Sequence, residues 1–103
     1  MPLDELSQAL GIEIDPELLT LALTHSSHAY ENGSKDNERL EYLGDSVLGF
    51  LVATFVYQTH SDLQEGELTK LKNAVVSANA LATAANRMNL GAYIFLGKGE
   101  EQT

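Results

Sequence analysis

The chain has 103 residues with 15 acids against 6 bases, a formal net charge of −9, and no cysteine. A domain of this length buries roughly 60 to 70% of its unfolded surface, so there is room for one modest core and not for a second domain. The composition excludes a disulfide framework, a thiol nucleophile and a zinc–cysteine site, and the acidity argues against autonomous nucleic-acid binding, whose non-specific affinity comes from Lys and Arg.

Leu3, Leu6 and Leu10, followed by Gly11, predict a short amphipathic helix with glycine just past its end. The stretch MPLDELSQALG carries acids where a secretory peptide needs bases, which points to a soluble, intracellular chain without a leader. Asp15-Pro16-Glu17 predicts a second helix start, with a capping carboxylate, proline in the first turn and an acid near the positive end of the dipole. Leu18, Leu19, Ala22 and Leu23 form its inward face, and both helices read as scaffold. His25-Ser26-Ser27-His28 is the first polar cluster. No acid is positioned to orient a base and no third ligand type accompanies the histidines, so the expectation is a helix end whose hydroxyls tie down backbone groups. Glu31 to Asp36, with Gly33, is a loop, and Asp36 or Asn37 can cap the next helix. Asn32-Gly33-Ser34 has the form of a glycosylation site, which carries no weight without a secretory signal.

The run from Asn37 to Leu48, NERLEYLGDSVL, spaces Glu38, Glu41 and Asp45 three and four residues apart. At about 100° per residue the three acids fall within roughly 60° of each other, while Leu40, Leu43, Val47 and Leu51 cluster on the opposite side. Acids at i,i+4 repel on a helix unless a cation sits between them, and hard divalent ions such as Mg²⁺ take carboxylate oxygens readily. A solvated amphipathic face has the same spacing. Past Asp45 the same face continues through Gly49, Val52 and Val56, and SVLGFLVATFVY is apolar nearly all round, which predicts a helix buried along its second half. The apolar run Val47 to Tyr57 is expected to be too short to cross a bilayer. Tyr42, at the edge of the acidic face, is either rim packing or an interface plug.

Gln58 to Gln64 is a turn, and Glu65 opens an amphipathic helix with Leu68, Leu71, Val75 and Val76 facing inward and Lys70 and Lys72 facing out. Ser77 or Asn79 can cap a further helix, with Leu81, Ala84, Ala85 and Met88 inward and Gly91 closing it. Tyr93 to Leu96 is a short apolar patch before a tail rich in Gly and Glu. The fold class is all-α, one domain over residues 1–103.

The density of matches in NERLEYLGDSVL resembles the signature of the ribonuclease III family of double-stranded RNA endonucleases. Leu23-Thr24-His25 with Ser27, Glu65-Gly66 with Leu68, Lys70 and Leu71, and Leu96-Gly97-Lys98-Gly99-Glu100 resemble the flanking segments, so the likeness covers roughly Leu18 to Thr103. The resemblance implies a ribonuclease III endonuclease-domain helical fold, apparently truncated at its C-terminal end. Family members carry a second Asp and Glu on a later helix that complete the metal site, together with a separate double-stranded-RNA-binding domain, and this chain has neither. It further implies a cytoplasmic, Mg-dependent hydrolase of duplex RNA, with Mn able to substitute, acting in RNA processing that includes ribosomal RNA. Glu41 and Asp45 would be catalytic metal ligands, Glu38 and Glu65 secondary metal or RNA contacts near one another, and Tyr42 a dimer contact inserted into the second subunit. The expected partners are double-stranded RNA and a second copy, with no membrane and no small-molecule cofactor. The rival readings are a non-catalytic module that keeps this fold for dimerisation or RNA-associated assembly, and a helical protein-interaction domain unrelated to RNA.

Overall fold

The computed structural model describes residues 2–98, which fold into six α-helices and a 3₁₀ turn: α1 Pro2–Leu10, α2 Pro16–Ala22, α3 Ser26–Asn32, α4 Glu38–Thr59, α5 Glu65–Val75, α6 Ala78–Arg87 and the turn Leu90–Tyr93. Gly99 and Glu100 of the last motif lie outside the described residues. Local chemistry sets most of the boundaries. Gly11, at φ 74°, takes the left-handed conformation that closes α1. The Asp15 carboxylate accepts from the Leu18 N–H at 3.1 Å to start α2. Ser77 Oγ accepts from the Ala80 N–H at 3.2 Å to start α6. Three boundaries differ from expectation. α4 runs on through Gln58 and Thr59, the first two residues of the expected turn. Residues 26–32 are a full helix, closed by Gly33 at φ 64°. After α6 the left-handed residue is Asn89, at φ 54°, and Gly91 lies inside the following turn; an asparagine tolerates this region because its short polar side chain bonds locally.

The buried core is small and lies at the N-terminal end of the fold. Leu6, Leu19 and Leu23 form it, with Leu3, Ile14, Leu90, Tyr93 and Phe95 packed round them. α1 and α2 are thus scaffold, as their sequence suggests, although Leu18 and Ala22 point to solvent and only Leu19 and Leu23 of the expected α2 face are buried. Segment 94–98 returns across this core and is held at four successive points. Phe95 N–H donates to Leu23 O at 2.9 Å and His25 N–H donates to Phe95 O at 3.0 Å, a one-residue parallel bridge with Thr24. Gly97 N–H then donates to Ser27 Oγ at 2.8 Å, and Lys98 N–H to the Glu31 carboxylate at 2.8 Å. The Phe95 ring packs obliquely on His28, centroids 5.5 Å apart, and His28 Nδ1 is buried without a hydrogen-bond partner.

The α4–α5 hairpin is built differently. α4 is 22 residues long, about 33 Å at 1.5 Å per residue, and packs against α5. Its second half is not buried as its composition predicts: of its apolar side chains only Val56 is buried, while Phe50 is 69% and Phe55 64% exposed. Val75, Leu81, Ala84 and Met88, expected to point inward, are also exposed. An all-apolar helix needs covering on every side, and α5 covers one. α4 as a whole is long and apolar enough to cross a membrane by length and composition, although the run Val47 to Tyr57 alone is not. The chain's radius of gyration is 16.2 Å, against about 13 Å for a compact domain of this length. Its accessible surface, 8150 Å², likewise exceeds the roughly 5,700 Å² of a compact monomer of this mass.

Candidate functional site

The start of α4 is fixed to the core by one side chain. Asn37 donates from Nδ2 to Ala22 O at 2.9 Å and from its backbone N–H to Thr24 O at 3.0 Å, tying the helix to the α2–α3 junction. It therefore does not cap α4 with its side chain; Asp36 Oδ1 does, accepting from the Glu38 N–H at 3.0 Å. Sequence reasoning offers Asn37 as one of two possible caps and misses its positioning role. The signal is its place directly before the acidic run, where a side chain with two donors can satisfy carbonyls of another element.

On this anchored helix Glu38, Glu41 and Asp45 occupy the first two and a half turns, all exposed. None of their carboxylates has a hydrogen-bond or ion-pair partner among the described residues. Two unpaired carboxylates one turn apart, Glu41 and Asp45, are a hard-oxygen donor pair suited to a divalent ion that keeps most of its waters. The described residues bring no third His, Asp or Glu into a metal-holding group with them.

Glu65 stands elsewhere in the chain. It lines a groove between α4 and α5 with Tyr57, Gln58, Leu68 and Lys72, toward the C-terminal half of α4. Glu38 lines a separate hollow of about 960 Å³ with Arg39, Lys35, Tyr42 and Leu43. One chain does not gather Glu38 and Glu65 into one pocket. Tyr42 is 80% exposed at the mouth of the Glu38 hollow, a position that leaves its ring free for an intermolecular contact.

Lys72 departs from its expected outward position. It is half-buried, and its Cε and Nζ lie 3.7 Å from the point where a Cβ on Gly49 would stand. Lys70, two residues earlier, is exposed as expected. The end of the side chain thus meets α4 at Gly49, one turn beyond Asp45 in the sequence of the helix.

The His25 cluster is structural. His25 Nδ1 accepts from the Ser27 N–H at 3.1 Å and lies 2.7 Å from Ser27 Oγ, whose oxygen in turn receives the Gly97 N–H. With Nδ1 accepting, the Ser27 hydroxyl donates to it, and both groups are spent on holding segment 94–98.

Comparison with known proteins locates this arrangement. The profile of a family described as ribonuclease-III-like matches residues 15–103. The chain is 55% identical over 100 residues to Ribonuclease 3 of Thermobifida fusca (strain YX), covering 96% of this chain and 42% of that protein. It is 54% identical over 102 residues to Ribonuclease 3 of Nocardia farcinica (strain IFM 10152), covering 95% and 42%. It therefore spans less than half the length of these curated relatives. Among solved structures it resembles the nuclease domain of ribonuclease III from Campylobacter jejuni, with a TM-score of 0.90 and 39% identity over 97% of this chain and 68% of that one. That structure is described as showing flexibility in the region involved in dimer formation.

Proposed function

Because this chain belongs to the ribonuclease III family, we propose that it contributes the Glu41–Asp45 half of the metal site of a cytoplasmic, Mg-dependent endonuclease that cleaves double-stranded RNA in RNA processing. The observation that carries the reading is the pair of exposed, unpartnered carboxylates at i,i+4 on a helix start that Asn37 fixes to the core. Such a pair weakens the helix by a few tenths of a kcal/mol while it is empty, and a cation between the two would relieve that repulsion.

Glu41 and Asp45 would hold Mg²⁺, or Mn²⁺ in its place, through one or two oxygens each, leaving the remaining positions to water and phosphate. When bound, the ion supplies Lewis acidity that activates water and offsets charge on the phosphate oxygens. Glu38, at the helix N-terminus, and Glu65, in the separate α4–α5 groove, would serve as secondary contacts to metal or RNA. Tyr42, with the uncovered apolar side of α4, supports a homodimer, and two-fold symmetry would set two such centres against one duplex, one per strand. No side-chain nucleophile and no organic cofactor enters this scheme.

Cleavage of a labelled RNA duplex with Mg²⁺ and with EDTA tests it, using this chain beside a form extended to the length of its relatives. Asp45→Asn is expected to lower metal-dependent cleavage by at least about a hundredfold while leaving folding intact, because it removes half of a charged donor pair without changing shape. A folded extended form with no metal-dependent cleavage would instead favour a non-catalytic assembly module of the same fold.

A further inference from the structure

We infer that Lys72 is a phosphate-contacting residue of this same carboxylate face, reaching it through a notch made by Gly49. The inference rests on the nuclease reading above, and four observations carry it. The Lys72 side chain does not extend freely into solvent from α5; its tip lies against α4 at Gly49, with Nζ 3.7 Å from the position a Gly49 Cβ would take. Gly49 follows Asp45 by one turn on the same side of the helix, and a Cβ at this position leans back toward the helix N-terminus, over the turn that Asp45 occupies. Lys72 is half-buried, and its ammonium has no anionic or hydrogen-bonding partner among the described residues. Finally, the chain has only six Lys and Arg against fifteen acids, so a half-buried base at Gly49, one helical turn past Asp45, is not explained by bulk charge balance.

A half-buried lysine without a counter-ion is costly unless a ligand supplies one. The carboxylates of this face make no ion pair with it, and they are the residues that would hold the cation. The anion that fits between a divalent ion on Glu41 and Asp45 and an ammonium one turn away is a phosphodiester, whose non-bridging oxygens can take the metal on one side and an N–H donor on the other. Lys72 donates there and helps place the phosphate against the metal. The space for the ammonium depends on a small residue at position 49: an alanine Cβ would make ordinary contact at 3.7 Å, whereas a longer side chain would occupy the space of the ammonium.

The test uses the duplex-cleaving form of the protein. Lys72→Gln is expected to lower single-turnover cleavage about tenfold, with Lys72→Arg restoring it to within about threefold, because a charged donor to a phosphate oxygen is lost and then returned. Gly49→Leu, which keeps the lysine but blocks its path, is expected to show the same loss as Lys72→Gln. In the non-cleaving Asp45→Asn background, the slope of log duplex affinity against log salt falls by about one when Lys72 becomes Gln. Neither Lys72→Gln nor Lys72→Arg lowers the melting temperature, and Lys72→Gln raises it if anything, because it removes an unpaired half-buried charge. Cleavage by Lys72→Gln within twofold of the parent, or an arginine variant as impaired as the glutamine one, overturns the role of Lys72. Unimpaired cleavage by Asp45→Asn overturns the metal-site reading beneath it, so the two failures are distinct.

Discussion

The N-terminal knot and the α4–α5 hairpin spend their apolar residues in opposite ways. In the knot, Leu6, Leu19 and Leu23 are buried and the returning segment 94–98 is pinned by the backbone of Leu23 and His25 and the side chains of Ser27 and Glu31. In the hairpin, a helix whose second half is almost wholly apolar keeps Phe50, Leu51 and Phe55 in solvent. The acidic face stands at the junction of the two, anchored by Asn37 to the closed part and carried on the open one. The contrast shows that hydrophobicity alone does not make a core. An apolar face is buried only where the chain supplies a second surface, and exposed apolar area on this scale marks a surface that associates.

If that division is right, the heaviest penalty falls in the knot. Leu6→Ala is expected to cost about 2–5 kcal/mol, since Leu6 is 1% exposed at the centre of a three-residue core with few atoms free to close the cavity. Thermal or urea unfolding measures it, and a loss under about 1 kcal/mol would mean that stability resides in the hairpin instead. Next comes the strap. A Cβ at Gly97 would run into the Glu31 carboxylate and stand 2.9 Å from Ser27 Cβ. Gly97→Ala should therefore cost about 1–3 kcal/mol by forcing Glu31 off the Lys98 N–H. Hydrogen exchange at Phe95, Gly97 and Lys98 would rise with it; unchanged protection there would remove the strap from the comparison. The smallest effect on folding is expected in the hairpin. Phe50→Ser should change unfolding free energy by less than about 0.5 kcal/mol, the range of surface substitutions, and at the same time weaken self-association in sedimentation velocity. A large loss of stability with no change in association would show that the hairpin is covered within one chain.

Local signals are legible in the residues because they act within a turn or two. Asp15 with Pro16, Ser77 and Gly11 announce helix ends through groups that satisfy their own neighbouring backbone. The acidic spacing of Glu38, Glu41 and Asp45 survives folding because helical periodicity alone puts the three on one side. The helix at 26–32 is legible only as a helix end beside a loop, because its cap is a histidine ring and the group that Ser27 binds, the Gly97 N–H, lies some 70 residues away in the chain.

By itself, then, the sequence determines every helix but α3, the place of the carboxylates on α4, and the family to which NERLEYLGDSVL belongs. Only the tertiary structure decides which apolar faces find a covering surface, that Asn37 ties α4 to the α2–α3 junction, and that Lys72 lies against α4 at Gly49 rather than extending into solvent. Periodicity specifies that a helix has an apolar side, but whether that side is closed depends on what the rest of the chain brings against it.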